Sequence, residues 1–368
     1  MNKVLITMSG GVDSSVAAAL LKEHGYDVIG VTMKIWGGQT SSEVSVHHGC
    51  YGPGEAEDIE DARRVAQQLG IPFHVLDLTG EYQSVVLDYF SREYLAGRTP
   101  NPCVRCNPNI KFGALIEKAR LSGLVFDSIA SGHYAGIEYN EKECRYLLKK
   151  AKDLTKDQSY VLWGLGQECL SRSIYPLGNF LKSEVRQIAY DMGYKELAKK
   201  AESYEICFVP DNDYRAFLKR NVAGLEEEVN GGNFVLKDGT IVGKHKGYPF
   251  YTIGQRKGLD IAMGRPVFVT NIIPETNVIV IGDLEDLMQS ETIVRGINMI
   301  KYDAFPEKGM EVTTKIRYRD PGMDSFLQPI DGGVKINFSH AVSSIAPGQS
   351  AVFYEGDDVV GGGIINRK

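Results

Sequence analysis

The sequence predicts an α/β protein in three parts: a parallel-sheet domain over residues 1–200, a small central β-rich domain over 201–284 and a C-terminal β-barrel over 285–368. Three observations carry this. The first half alternates short apolar runs with stretches of helical spacing, the pattern of parallel strands joined by crossover helices. From Gly231 onward helical spacing nearly vanishes, and Gly-rich turns separate short alternating runs. Finally, 368 residues with 43% hydrophobic content exceed what a single core usually supports.

The first element is the apolar run Val4 to Ile6, and Val16 to Leu21 is helical. Between them lies Met8-Ser9-Gly10-Gly11-Val12-Asp13-Ser14-Ser15, a glycine turn at a helix start. Two adjacent glycines let backbone N–H groups turn inward without a Cβ clash. The serine hydroxyls and the helix dipole favour an anion there, so the loop is expected to hold phosphates. No Lys-Ser/Thr pair follows the glycines, and the G-x-G-x-x-G spacing is absent, which excludes a Walker A loop and a dinucleotide fingerprint. The pattern S-G-G-x-D-S resembles the pyrophosphate loop of N-type ATP pyrophosphatases, which split ATP into AMP and pyrophosphate. On that resemblance the first domain is a nucleotide-binding domain of ATP pyrophosphatase type, and Asp13 is a candidate Mg²⁺ partner.

Asp27 to Lys34 reads as a second buried strand, Glu57 to Leu69 as a helix with Ile59, Ala62, Val65, Ala66 and Leu69 apolar, and Ile71 to Leu78 as a third strand. Helices follow at Glu81 to Tyr94 and Lys111 to Leu121, then a strand at Asp127 to Ala130 ending in Ser131-Gly132-His133. Ligands of such sheets bind beyond the carboxyl ends of the strands, where the glycine loop, Met33 and Gly132 all fall. Gly37 to Gly54 has no periodicity and reads as a mobile insertion; its His47, His48 and Cys50 lack a fourth ligand at metal spacing. Lys182 to Met192 is helical, and Ser203 to Pro210, around Cys207, is expected to move. In the C-terminal part, Glu311 to Arg319, Gly333 to His340, Gln349 to Tyr354 and Val359 to Ile365 alternate as strands of a small closed barrel.

No apolar run approaches a bilayer span and no signal core precedes the first strand, so the chain reads as cytoplasmic, without a membrane partner. The net charge of −6 gives no overall pull toward nucleic acid; RNA binding would need local basic patches. Six cysteines scattered over the chain are not a secreted disulfide scaffold, so reactive or metal-binding thiols are the open readings.

Thr99-Pro100-Asn101-Pro102-Cys103-Val104-Arg105-Cys106-Asn107-Pro108 sets a C-x-x-C in a proline-rich stretch that predicts a rigid loop. A redox pair, half a metal site and a nucleophile with a neighbour are the three explanations. A zinc site would want a second pair, and a thioredoxin-type motif opens a helix, whereas prolines here are expected to break one. A nucleophile cooperating with a distant cysteine such as Cys207 fits best. Lys111 and Arg105 stand close enough in sequence to lower a thiol pKa.

Taken together, S-G-G-V-D-S-S, the M-K after the second strand, T-P-N-P-x-x-x-C-N-x-x-I-K-F, S-G-H-Y, K-D-Q-S-Y, I-C-F, G-Q-R-K-G-L and P-G-Q-S-A-V-F-Y resemble the tRNA-specific 2-thiouridylases, in order from residue 4 to residue 365. The resemblance implies action on the wobble uridine of certain tRNAs. It assigns Thr7, Met8, Ser9, Gly10, Gly11, Val12, Asp13, Ser14, Met33 and Gly132 to ATP, and Asn101, Pro102 and Cys103 to the target base. His133, Lys156, Asp157, Gln158, Arg317, Tyr318 and Gln349 match tRNA contacts. Cys106 and Cys207 become the catalytic pair, and a persulfide-donating sulfur-relay protein or cysteine desulfurase becomes a partner.

Two departures stand out. Many members carry Asp where this chain has Cys103, and the stretch before the second cysteine commonly reads G-I-C-F, whereas here Glu205 replaces the glycine. Two other readings remain: an adenylating ligase, which leaves both cysteines and the barrel without work, and an iron–sulfur cluster held by Cys103, Cys106 and Cys207.

Overall fold

The computed structural model describes residues 2–38, 52, 54–199, 206–209 and 213–367. The expected mobile insertion lies outside the described residues except for its first two and two of its last, and half of the Ser203 to Pro210 segment does too.

The expected parallel strands form as β1 (Lys3–Thr7), β2 (Asp27–Lys34), β3 (Phe73–Asp77) and β4 (Ser128–Ser131). A hairpin of β5 (Gly136–Asn140) and β6 (Arg145–Lys149) follows, and the short β7 (Ser173–Ile174) completes a five-stranded sheet in the order β3-β2-β1-β4-β7. Its pairings are all parallel. Val4, Leu5 and Ile6 of β1 are wholly buried because helices cover both faces. The order reverses between β1 and β4, so the crevice beyond their carboxyl ends, at Thr7 and its partner Ser131, is the switch point where such sheets take ligands.

Two helices flank that crevice, α1 (Val12–Glu23) and α2 (Glu55–Leu69). A third, α3, runs from Thr79–Tyr82 through a π-helical Gln83–Leu87 into Asp88–Leu95. The C-x-x-C stretch departs from its expectation as a loop, because it opens a helix: α4 begins at Pro102–Cys106, widens to a π-helix over Asn107–Ala114 and ends at Leu115–Leu121. Asn101 caps it, its Oδ1 accepting from the Cys103 N–H at 3.1 Å. Pro102 occupies the first position, where a missing N–H costs nothing. Pro108 is tolerated because the helix widens around it, and Gly113 supplies the room: a Cβ there would stand 2.8 Å from the Pro108 carbonyl oxygen. Further along, α5 (Lys182–Asp191) packs against α1.

The central part forms a four-stranded sheet of β8 (Asn233–Val235), β9 (Ile241–Lys244), β10 (Phe268–Ile273) and β11 (Val278–Gly282) in the order β10-β11-β8-β9. Its core residues Phe234, Val269, Ile279 and Ile281 join one apolar cluster with Leu78, Phe90 and Cys106 of the first domain. Within it His245 accepts from the Gly247 N–H through Nδ1 at 3.0 Å, and burial lowers its pKa to about 4. A histidine held neutral when folded but protonating near its ordinary value when unfolded stabilises the fold above pH 6.5, and that stability drains away as the pH falls toward 4. The midpoint of thermal unfolding should therefore drop between pH 7 and 5, and His245→Gln should flatten the drop; an unchanged pH profile in the variant would refute this.

The barrel consists of β12 (Gln289–Met299), β13 (Met310–Lys315), β14 (Met323–Ile330), β15 (Gly333–Val342), β16 (Ser350–Glu355) and β17 (Asp358–Asn366), closed by pairing of β12 with β17. Four of these strands stand out in the sequence; β12 and β14 do not. In β12 the register shifts between Arg295 and Asn298 around Gly296, which blurs its alternation. The barrel is fused to the first domain. Val352, Tyr354 and Val359 share a core with Val104, Phe112 and Trp163, and Trp163 Nε1 donates to Ser350 Oγ at 3.0 Å. Its ring lies against Gly362, where a Cβ would sit 2.8 Å from the indole.

A phosphate loop and a buried thiol pair

The glycine loop is shaped as the sequence implies. Gly10 has φ +72° and passes so close to α2 that a Cβ would stand 2.2 Å from the Asp58 carbonyl oxygen, so no other residue fits without displacing the helix. Gly11 is the N-cap of α1. The Ser9 N–H donates to Ser14 Oγ at 3.1 Å, and the Ser15 hydroxyl donates to the Gly11 carbonyl at 2.9 Å, which fixes the turn. Buried Glu55 of α2 supports the end of β2 by accepting from the N–H groups of Ile35 and Trp36 at 2.7 and 3.0 Å, and burial raises its pKa. Thr7 and Met8 lead into the loop from β1, Met33 is the last but one residue of β2, and Gly132 lets β4 approach α1, since a Cβ there would lie 2.7 Å from the Ser14 nitrogen.

Asp13, the candidate Mg²⁺ partner, is paired within the chain. Both carboxylate oxygens lie 2.7 Å from Lys182 Nζ at the start of α5, and Oδ1 also accepts from the Tyr134 hydroxyl at 2.8 Å. The ammonium packs 5.6 Å from the Tyr134 ring centre. A Mg²⁺ arriving on ATP phosphates needs few protein ligands. The loop lacks a Walker lysine in sequence, and Lys182 supplies a buried cation in space. The sequence does not mark Lys182 or Tyr134 as site residues, because nothing local distinguishes a side chain that meets its partner across the fold.

Cys106 and Cys207 join the same apolar cluster, which runs from Ile35 past Tyr82 and Ile110 to Phe208. Both are reduced thiols rather than disulfide partners, as is Cys103, which is partly exposed near the start of α4. Cys207 Sγ lies 3.2 Å from the Tyr82 hydroxyl. Burial pushes its thiol up and the Cys103 thiol adds to this, while Tyr82 and the Lys111 charge pull the other way. Arg105, the other candidate for thiol activation, instead lies over the Tyr89 ring at 5.1 Å. Among the described residues no group of three His, Cys, Asp or Glu side chains is placed to hold a metal ion.

The residues expected to touch tRNA divide into inward and outward sets. His133 is buried with Nδ1 2.7 Å from the Ser131 hydroxyl, and burial with the Lys111 charge drives its pKa well below the ordinary value. Asp157 is buried and accepts from the N–H groups of Ala151 and Ser159, both at 3.1 Å. Gln158 Oε1 accepts from the Tyr134 N–H at 3.0 Å, which steadies the residue after Gly132-His133. Lys156 is partly exposed, and Arg317 and Tyr318 are exposed on the turn between β13 and β14, with the Tyr318 ring 6.2 Å from that of Tyr160. Gln349 faces the loop before α4.

A glycine loop closed over the switch point of a parallel sheet, with a buried cation beside it and no Walker lysine, is built to hold the phosphates of a nucleotide. Family models extend this over the chain: one described as a tRNA methyl transferase HUP domain matches residues 2–211, a tRNA methyl transferase PRC-barrel domain 215–283, and an aminomethyltransferase beta-barrel domain 290–365. The tRNA-specific 2-thiouridylase MnmA of Amoebophilus asiaticus is 51% identical over 99% of this chain and 95% of its own length, and that of Salinibacter ruber is 51% identical over 99% and 94%. The chain belongs to the tRNA-specific 2-thiouridylases. A solved 4-thiouridine synthetase–RNA complex with bound ATP overlaps it loosely, with a TM-score of 0.32 at 17% identity over 61% of this chain and 51% of the other. No described helix is long and apolar enough to cross a membrane.

Proposed function

We propose that this protein performs ATP-dependent 2-thiolation of the wobble uridine of tRNA in the cytoplasm. The observation that carries the reading is the packing of Cys106 and Cys207, far apart in sequence, into one apolar cluster that also takes in Met33 near the carboxyl end of β2. The loop N–H groups and Lys182 hold the β- and γ-phosphates of ATP, with Asp13 and Tyr134 orienting the ammonium. The uracil O2 attacks the α-phosphorus, an O–P bond forms, and pyrophosphate departs. Bound Mg²⁺ would add charge neutralisation on those phosphates.

A terminal sulfur, delivered by a persulfide-donating relay protein or cysteine desulfurase to Cys207, attacks C2 and displaces AMP. The Cys106 thiolate then attacks Cys207 Sγ, the S–S bond breaks, its outer sulfur stays on C2, and a Cys106–Cys207 disulfide remains for an external reductant. The base must leave its stack to reach α4, which is easiest in a single-stranded anticodon loop. Exposed Arg317 and Tyr318 suit a phosphate and a stacking contact.

Mass spectrometry of tRNA nucleosides after incubation with ATP, Mg²⁺ and a persulfide donor tests the reading; 2-thiouridine is expected, and its absence refutes it. A disulfide needs Cα atoms within about 7 Å. Peptide mapping after one turnover without reductant should find a Cys106–Cys207 crosslink that requires both ATP and tRNA. Sulfur transfer without that crosslink would overturn the release step.

A further inference from the structure

The loop that leads into α4 has few ways to hold itself. In Thr99-Pro100-Asn101-Pro102 two residues lack an N–H, and the Asn101 side chain is committed to the cap of α4. The missing restraint comes from the barrel. Gln349, just before β16, donates its amide Nε2 to the carbonyls of Thr99 at 3.1 Å and Pro100 at 3.2 Å. The Thr99 N–H in turn donates to the Pro347 carbonyl at 2.8 Å. Gly348, with φ +91°, lets the two segments touch: a Cβ there would be 3.0 Å from the Thr99 carbonyl oxygen. At the loop's other end, Arg367 donates to the carbonyls of Gly97 at 3.2 Å and Ile272 at 2.8 Å, which ties in the central sheet as well.

We infer that Gln349 is a positioning residue for the catalytic helix: its amide fixes the Thr99–Pro100 carbonyls, and through Asn101 sets where Cys103 and Cys106 stand before tRNA arrives. This role is separate from a contact to tRNA, because both acceptors of its amide N–H groups lie within the chain and are in place without RNA. It explains why an amide is needed. Two carbonyls must receive two N–H bonds from one side chain, which glutamine supplies and a carboxylate cannot. A misplacement of about 1 Å at reacting groups costs up to about a hundredfold in rate, so a loss of this clamp should appear in turnover.

The inference rests on the thiolation reading for its kinetic arm and is independent of it for its structural arm. Gln349→Glu is the sharper variant and Gln349→Ala the milder one, to be used if the first lowers the thermal midpoint of the whole protein. With tRNA saturating, kcat for thiolation should fall about tenfold while KM for tRNA stays within about twofold. In the tRNA-free protein, hydrogen exchange at the Cys103 amide should quicken about tenfold as the cap loosens. A raised KM with unchanged kcat, or unchanged exchange at Cys103, would overturn the inference in favour of a direct RNA contact. Should the wild-type protein make no 2-thiouridine, the thiolation reading fails, and the exchange measurement still decides the role of Gln349.

Discussion

Cys106→Ser should yield no detectable 2-thiouridine, a loss of about 10³-fold or more, while pyrophosphate release driven by tRNA and ATP continues. Cys106 is buried in α4 among Ile110, Leu78 and Tyr82, so the substitution changes one atom in a site that the rest of the helix holds. A hydroxyl in that apolar setting costs about 1–3 kcal/mol if it finds no partner, so the thermal midpoint should be measured alongside. Cys103→Asp is expected to keep thiolation within about tenfold of the parent. Cys103 is partly exposed near the start of α4, where a carboxylate gains about 0.3–1 kcal/mol from the helix dipole. The new charge also faces Cys207, whose thiol the Cys103 group already pushes up, so the rate profile of the variant should move to higher pH. Activity in Cys106→Ser would mean that the nucleophile is wrong. Loss in both variants, together with iron in anaerobically purified protein, would favour the cluster.

The second large effect concerns the phosphate site. Lys182→Met and Asp13→Asn should each cut ATP-dependent pyrophosphate release by about 10²–10³-fold, and the double variant by little more than the worse single one, because the two act as one unit. Asp13→Ala is a poorer probe. It removes the carboxylate whose two oxygens both lie 2.7 Å from a buried ammonium, at a cost on the order of a few kcal/mol before screening at the partly exposed carboxylate. Asp13→Asn keeps an oxygen for the Tyr134 hydroxyl and for Lys182 while removing the charge. Rates like those of the parent in Lys182→Met would remove the lysine from the phosphate site. Additive losses would mean that Asp13 acts on its own, as a metal ligand would.

The sequence by itself determined the parallel sheet, the β-rich remainder and the phosphate loop, because each is written in short-range terms. Val4 to Ile6 must be a buried strand, and Gly10-Gly11 must be a turn whatever else the chain does. It also marked Cys106 and Cys207 as unusual, through the prolines around one and the apolar run around the other. The tertiary structure alone decided what meets what. Lys182 reaches Asp13 across the fold, Tyr82 reaches Cys207, and Gln349 closes on Thr99 and Pro100. It also turned the proline-rich loop into a helix, since Pro102 falls at the tolerated first position and the helix widens around Pro108 with room supplied by Gly113. The physical reason is common to these cases. Backbone preference and apolar period act over a few residues and are readable in order, whereas a buried ion pair, a thiol's donor or a bond between domains forms only after the chain has folded and brought distant residues within about 3 Å.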